Sequence, residues 1–244
     1  MRPMAEERRV SIPLAAGARM RGLLALPDGT PPEGGWPAVV AIHDIAGFSN
    51  DIRRIARRFA RAGYAALAPA LFDGAGPPVL CVVRTLRDYQ RRDGPAFARL
   101  DAAQRYLGAA PEVDADRIGV TGFCLGGGFA IFHAARGGVR VCAPYYGDTP
   151  ETADALRRVC PVVAGFGERD RSFAVQGRRL AGHLEELGVP HDVKIYPGVG
   201  HSYMNDHGEL AGAIGSLTPL HAAYDETAAE DSWRRMLAFF AEHL

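Results

Sequence analysis

The feature that most restricts this chain is the stretch Thr121–Gly128, TGFCLGGG, with the apolar run Ile118-Gly119-Val120 before it and a small-residue segment after it. An extended run that turns at once into a helix demands a tight bend, and glycines on either side of that bend let backbone approach backbone. Cys124 stands at the bend. The spacing Gly122-Phe123-Cys124-Leu125-Gly126 is that of a strand–turn–helix nucleophile elbow, G-x-S-x-G, with a thiol in the hydroxyl position. A plain alternative exists, because free cysteine also serves as a small buried hydrophobe and glycine clusters mark many kinds of turn. The rest of the chain decides between them.

Around the bend, strand and helix signals alternate. Residues 8–26 read as an antiparallel entry hairpin, and Ala38–Ile42 as an apolar strand covered on both faces. Ile52, Ile55, Ala56, Phe59 and Ala60 then recur at helical spacing, which puts Arg53, Arg54, Arg57, Arg58 and Arg61 on the solvated side. Further strands are expected at 64–68, 116–120, 139–143, 161–166 and 191–197. Helices are expected from Pro95, after Cys124, around Phe173–Leu187 and around Trp233–Phe240. Residues 71–94 read as a loop with a short helix, and 203–221 as a long irregular segment. The alternation implies an α/β chain with a mostly parallel sheet, helices on both faces, and ligands at the carboxyl ends of the strands.

Composition bounds the function. At 244 residues with 48% hydrophobic and 23% charged, residues 1–244 fit a single domain. Lys+Arg and Asp+Glu each number 28, so no net field recruits nucleic acid or an acidic membrane. The segment MRPMAEERRV lacks a leader's apolar core, and no run is long enough to span a membrane, which makes the cytoplasm the expected location. The four cysteines lack C-x-x-C pairing and zinc-type spacing, so neither a disulfide scaffold nor a metal site is expected.

A thiol nucleophile needs a base to take its proton and a third group to orient the base. In α/β-hydrolases the partners follow in the order nucleophile, acid, histidine. Cys124, Asp170 and His201 occur in that order, the last two in loops after the strands PVVAGF and HDVKIYP. Asp170 also suits a helix cap for the segment from Ser172, and Glu168 is a rival acid. His207 and His221 are minor rivals to His201. One oxyanion donor is expected from Leu125, the first helical N–H after the nucleophile, and the other from Ile45 in the loop Asp44-Ile45-Ala46-Gly47. His43 precedes that loop and is expected to support it.

The GFCLGG elbow, the GERD loop, the GVGHSY loop and the HDIAG turn together resemble the dienelactone hydrolase family of α/β-hydrolases, over nearly the whole chain. The resemblance implies a Cys-Asp-His triad, an acyl-enzyme formed without a cofactor, and a small ester or lactone substrate. It also implies a carboxylate that helps ionise the thiol, which is Asp44 here where the family commonly has glutamate. Members that act on dienelactone carry an arginine in a pattern like H-S-F-A-R; this chain reads HSYMN, with Asn205 at that place. The expected pocket side chains are His43, Tyr145, Tyr146, Tyr203, Asn205 and Arg84, with one of the two adjacent tyrosines alternatively in the core. A missing cationic clamp leaves a broad carboxylesterase acting on uncharged esters as the alternative, and a non-catalytic small-molecule-binding member of the fold behind it. Either a monomer or a homodimer is compatible with the sequence.

Overall fold

A computed structural model describes residues 6–74 and 76–244. Residues 1–5, on which part of the leader reading rests, and Ala75 in the loop DGAGPP lie outside the described residues. Two compact units divide the chain, residues 1–119 and 120–244.

In the first unit, β1 (Glu6–Pro13) and β2 (Arg19–Leu26) form the entry hairpin, closed by a 3-10 turn at Ala15–Gly17. β3 (Trp36–Ile42) and β4 (Ala65–Pro69) pair in parallel, and β4 pairs antiparallel with β2. From Ala38 to Ile42 and throughout β4 every residue is buried, which is why these strands are unbroken apolar runs rather than alternating ones. Edge strand β1 is instead charged, a composition that discourages pairing with a foreign strand. Helix α1 (Asn50–Arg61) buries Ile52, Ile55, Ala56, Phe59 and Ala60, the stripe read from the sequence. Its N-cap is Ser49, and Gly63 follows its end at φ 92°.

Helix α2 (Pro78–Arg91) corrects the expectation for residues 71–94, since the helix there runs for fourteen residues rather than being a short one within a loop. The periodicity was obscured because Val79, Leu80 and Val83 are exposed and contribute apolar residues off the buried stripe. Helix α3 (Pro95–Gly108) follows with Gly94 as N-cap, and the Asp88 carboxylate accepts from the Ala96 N–H at 2.9 Å.

β5 (Val113–Phe123) belongs to both units and is longer than the sequence suggested. In the second unit it runs parallel to β6 (Cys142–Tyr145), β6 to β7 (Val162–Gly167) and β7 to β8 (His191–Tyr196). β6 starts three residues after the expected position and carries Tyr145 inside the strand. Helix α4 (Leu125–Ala134) is buried from Gly126 to Ala134, α5 (Arg171–Glu186) precedes β8, and α7 (Glu226–His243) ends the chain. Within the segment read as irregular lies α6 (Glu209–Ser216), whose Leu210 and Ile214 point outward and so gave no inward stripe to detect. The strand order is β1-β2-β4-β3-β5-β6-β7-β8, a mostly parallel eight-stranded sheet. No helix among the described residues is long and apolar enough to cross a membrane.

Phe59 is fully buried, whereas Arg61 two residues on is exposed. Phe59→Ala is expected to destabilise the fold by about 3–5 kcal/mol, and Arg61→Ala by no more than about 0.5 kcal/mol. Urea midpoints of the two variants check this contrast.

Candidate active site

The bend is as tight as its glycines suggested. A Cβ on Gly122 would sit 2.0 Å from the Gly126 carbonyl oxygen, and one on Gly127 would sit 2.5 Å from that of Tyr145. Helix α4 therefore meets the end of β5 backbone to backbone. The distortion falls on Cys124, which adopts φ 54° and ψ −119°, a conformation that costs a residue with a side chain about 1–3 kcal/mol. Its N–H donates to the Tyr145 carbonyl at 3.0 Å, and its carbonyl accepts from Gly127 and Gly128. Cys124 remains partly exposed while the helix behind it is buried. Leu125 is the first residue of α4, so its N–H has no carbonyl one turn back to accept it.

Asp170 follows β7 and begins α5. Its two carboxylate oxygens divide two tasks: Oδ1 accepts from the Phe173 N–H at 3.3 Å as an N-cap, and Oδ2 meets Nδ1 of His201 at 2.6 Å. One side chain thus both caps α5 and meets the His201 ring. Both partners are almost fully buried, Asp170 at 1% and His201 at 2% exposure. Glu168 points elsewhere, its Oε2 accepting from the Gly198 N–H at 3.1 Å. His221 interacts with Arg169 and the Ser216 carbonyl.

His201 sits in a loop locked by its own backbone. Its N–H donates to the Leu220 carbonyl, and its carbonyl accepts from Ala223. A Cβ on Gly200 would overlap the His221 carbonyl oxygen at 1.9 Å, so the turn admits only glycine there. The imidazole is held edge-on by Tyr146 at 5.1 Å between ring centres and packs against Phe173 at 4.7 Å. Burial alone would push the His201 pKa down. The hydrogen bond to Asp170, the interaction with Cys124 and the charges of both overcome it and hold the pKa at about 9. Nε2 has no hydrogen bond of good geometry in the resting arrangement, although Cys124 is near enough to influence the ring. That leaves a ring nitrogen oriented by a carboxylate on its far side and available to a thiol.

The two adjacent tyrosines separate. Tyr145 is a core residue, stacked on Phe123 at 5.8 Å, with its hydroxyl donating to the Ser232 carbonyl at 3.3 Å. Tyr146 has φ 39° and faces His201, and its hydroxyl donates to Oδ1 of buried Asn205 at 2.6 Å. Tyr203 is fully buried and linked through Ser232 and Tyr196 to Asp231. Phe173 and Ser232 are additions to the sequence reading. Phe173 had appeared only as a position on a helix and Ser232 not at all, and no local pattern marks which distant ring or hydroxyl a helix face will meet.

In the first unit, both ring nitrogens of His43 are engaged. Nδ1 donates to the Asp44 carbonyl at 2.8 Å and Nε2 accepts from the Leu71 N–H at 3.1 Å, while burial first of all pushes the pKa down. Asp44 Oδ1 accepts from the Ala46 N–H at 2.9 Å, and Ile45 is 52% exposed. Arg84 borders a cavity of about 470 Å³ shared with Cys81, Arg87 and Arg99. Among the described residues no cluster of three or more His, Cys, Asp or Glu side chains is arranged to hold a metal ion.

Residues 20–244 match the family model described as "Dienelactone hydrolase family". A Synechocystis sp. protein named "Putative carboxymethylenebutenolidase" is 27% identical over 230 residues, which cover 86% of this chain and 88% of the relative. A Bradyrhizobium sp. protein named "Probable 2-oxo-3-(5-oxofuran-2-ylidene)propanoate lactonase" is 27% identical over 86% of both chains. Among solved structures, one described as "Putative Dienelactone Hydrolase" from Klebsiella pneumoniae superposes with a TM-score of 0.77 at 25% identity, covering 98% of this chain and 100% of that one.

Because the His201 pKa is raised from 6.5 to about 9, the pair contributes its full stability below pH 6.5 and loses it as the pH climbs through about 9. Asp170→Asn removes the charged acceptor, so the decline in stability between these pH values should shrink. Denaturant titrations across that range measure it, and an identical decline in the variant would contradict the assignment.

Proposed function

Since this chain belongs to the dienelactone hydrolase family, we propose that it hydrolyses a small ester or lactone with Cys124 as nucleophile, His201 as base and Asp170 as the acid that orients it. The observation that carries this reading is the Asp170–His201 hydrogen bond of 2.6 Å, with the imidazole's other nitrogen left to a thiol on a strained elbow. With its pKa held at about 9, His201 keeps at neutral pH the proton it has taken from Cys124. The thiolate attacks the carbonyl carbon, a C–S bond forms, and the negative charge moves to the carbonyl oxygen. Leu125 N–H stabilises that oxyanion. When the C–O bond breaks, His201 returns its proton to the leaving alkoxide, and the acyl-enzyme remains. His201 then removes a proton from water, which attacks the thioester and releases the acid and the thiol. No cofactor enters this scheme.

Two further roles rest on family membership and on position in the turn after β3: Ile45 N–H as the second oxyanion donor, and Asp44 as the carboxylate that helps ionise the thiol. The family match spans both compact units, which supports treating residues 1–244 as one hydrolase domain.

Asn205 favours a second reading of the substrate. It is buried, and its Oδ1 is engaged by the Tyr146 hydroxyl, so it does not supply the charge-assisted contact that an arginine would give a substrate carboxylate. An uncharged ester or unsubstituted lactone suits such a pocket better than a lactone bearing a carboxylate.

Cys124→Ala is expected to lower kcat by roughly 10³-fold or more on small activated esters. Iodoacetamide at neutral pH should label Cys124 first, because burial pushes the Cys142 thiol well up and the Cys160 thiol to about 12, and Cys81 is buried. Wild-type turnover in the alanine variant would rule the mechanism out. For substrate, kcat/KM on the methyl ester of a carboxylate-bearing lactone should equal or exceed that on the free acid. A strong preference for the acid would return the charged lactone to first place.

A further inference from the structure

The arginines of α1 do not all face open solvent. Arg53 and Arg57, one helical turn apart, border a cleft of about 360 Å³ whose opposite wall is the β1–β2 hairpin. The hairpin register places Arg9 opposite Leu23 and Ser11 opposite Arg21, so Arg9 and Arg21 share the same sheet face as Glu7. Helix α1 packs against β2, and Phe48 closes one end of the cleft with the Arg53 guanidinium 4.9 Å from its ring centre.

The charges around this cleft do not balance. Arg57 is held by Glu7, and Arg21 is held by Asp73 through Nη2–Oδ1 at 2.5 Å and Nε–Oδ2 at 2.8 Å. The nearby Asp51 carboxylate is committed to Arg54 at 2.6 Å. Four guanidiniums therefore share two carboxylates, and two positive charges are left over. Arg9 makes no ion pair among the described residues, and the Nε of Arg53 is buried with no hydrogen-bond partner. A buried guanidinium N–H without an acceptor is costly, and an oxyanion placed against it would supply the missing acceptor.

We propose that this cleft is a binding site for a small dianionic phosphate compound of the monoester class, held chiefly by Arg9 and Arg53. Two surplus charges match one phosphate monoester, which is mostly doubly charged above a pH of about 6. The planar guanidinium fork matches phosphate oxygens two at a time. The volume lies in the range of small-ligand pockets, about 300–1,000 Å³, and is concave rather than a flat basic patch. The site is independent of the hydrolytic reading, since none of its residues belongs to the proposed triad.

Isothermal titration of the whole protein at constant ionic strength and a pH of about 7.5 tests it, with phenyl phosphate, inorganic phosphate and succinate as probes. Phenyl phosphate should bind saturably at one site per chain and succinate at least tenfold more weakly. Arg9→Gln and Arg53→Gln should each weaken the phosphate ester at least tenfold. Arg157→Gln, the same charge change on an exposed residue elsewhere, should not. Arg9 is an exposed residue of an edge strand, so its variant tests the site without threatening the fold. Absence of saturable heat, equal binding of succinate, or the same affinity in Arg9→Gln and Arg157→Gln would overturn the proposal. Co-sedimentation with phosphatidic acid vesicles in the absence of phenyl phosphate binding would overturn the small-molecule assignment.

Discussion

Contact of α4 with the end of β5 leaves no room for a side chain at Gly122, and its contact with the end of β6 leaves none at Gly127; the arrangement around Cys124 depends on both. With the two backbones this close, the connecting residue has to reverse direction in a single step and is driven to positive φ. The strain is repaid by burial of α4 and by the backbone hydrogen bonds that tie Cys124 to β6 and to the first helical turn. The geometry holds the sulfur at the head of a helix, partly exposed, where neighbouring N–H groups are unsatisfied. A thiol on an ordinary loop would have neither the fixed position nor the adjacent donors.

The same device recurs at neighbouring strand ends. Gly167 at the end of β7 is pressed against the carbonyls of Val199 and Gly200, and Gly147 after β6 against the backbone of Gly127 and Gly128. Tyr146 and Ser202 join Cys124 in taking positive φ without being glycine. Side chains here are aimed by the backbone rather than by rotamer choice alone. His201 gains a second level of fixation from Asp170, Tyr146 and Phe173, and Tyr146 is in turn held by Asn205. Asn205, which stands where the family resemblance led us to expect an arginine, is used to hold the ring that packs edge-on against His201.

Electrostatically, the two arginine-bearing faces and the buried imidazole illustrate one rule at different depths. At His201 burial opposes the positive charge, but one short hydrogen bond to a carboxylate and the nearby thiol outweigh it, so the ring keeps its proton more tightly than in water. Along α1 the charges are mostly half-exposed, and each pair contributes little to stability. Their significance lies in arrangement, because the hairpin and the helix turn scattered guanidiniums toward one concave space.

Local rules determined a good deal from the residues alone. The 3.6-residue stripe of α1, the unbroken apolar strands β3, β4 and β7, the glycine-flanked elbow and the order Cys124, Asp170, His201 are all encoded within a few neighbours or in simple succession. Tertiary structure decided what depends on partners far along the chain. Helix α2 was expected to be shorter and α6 was missed because both turn apolar residues outward, and β6 was displaced because its pairing with β5 and β7, rather than its own composition, sets where it begins. Which of Tyr145 and Tyr146 faces the imidazole, the use of Asn205 as a hydrogen-bond partner, and the gathering of Arg9, Arg21, Arg53 and Arg57 around one cleft required the fold. Periodicity reports which side of an element is buried, but only packing determines what that side meets.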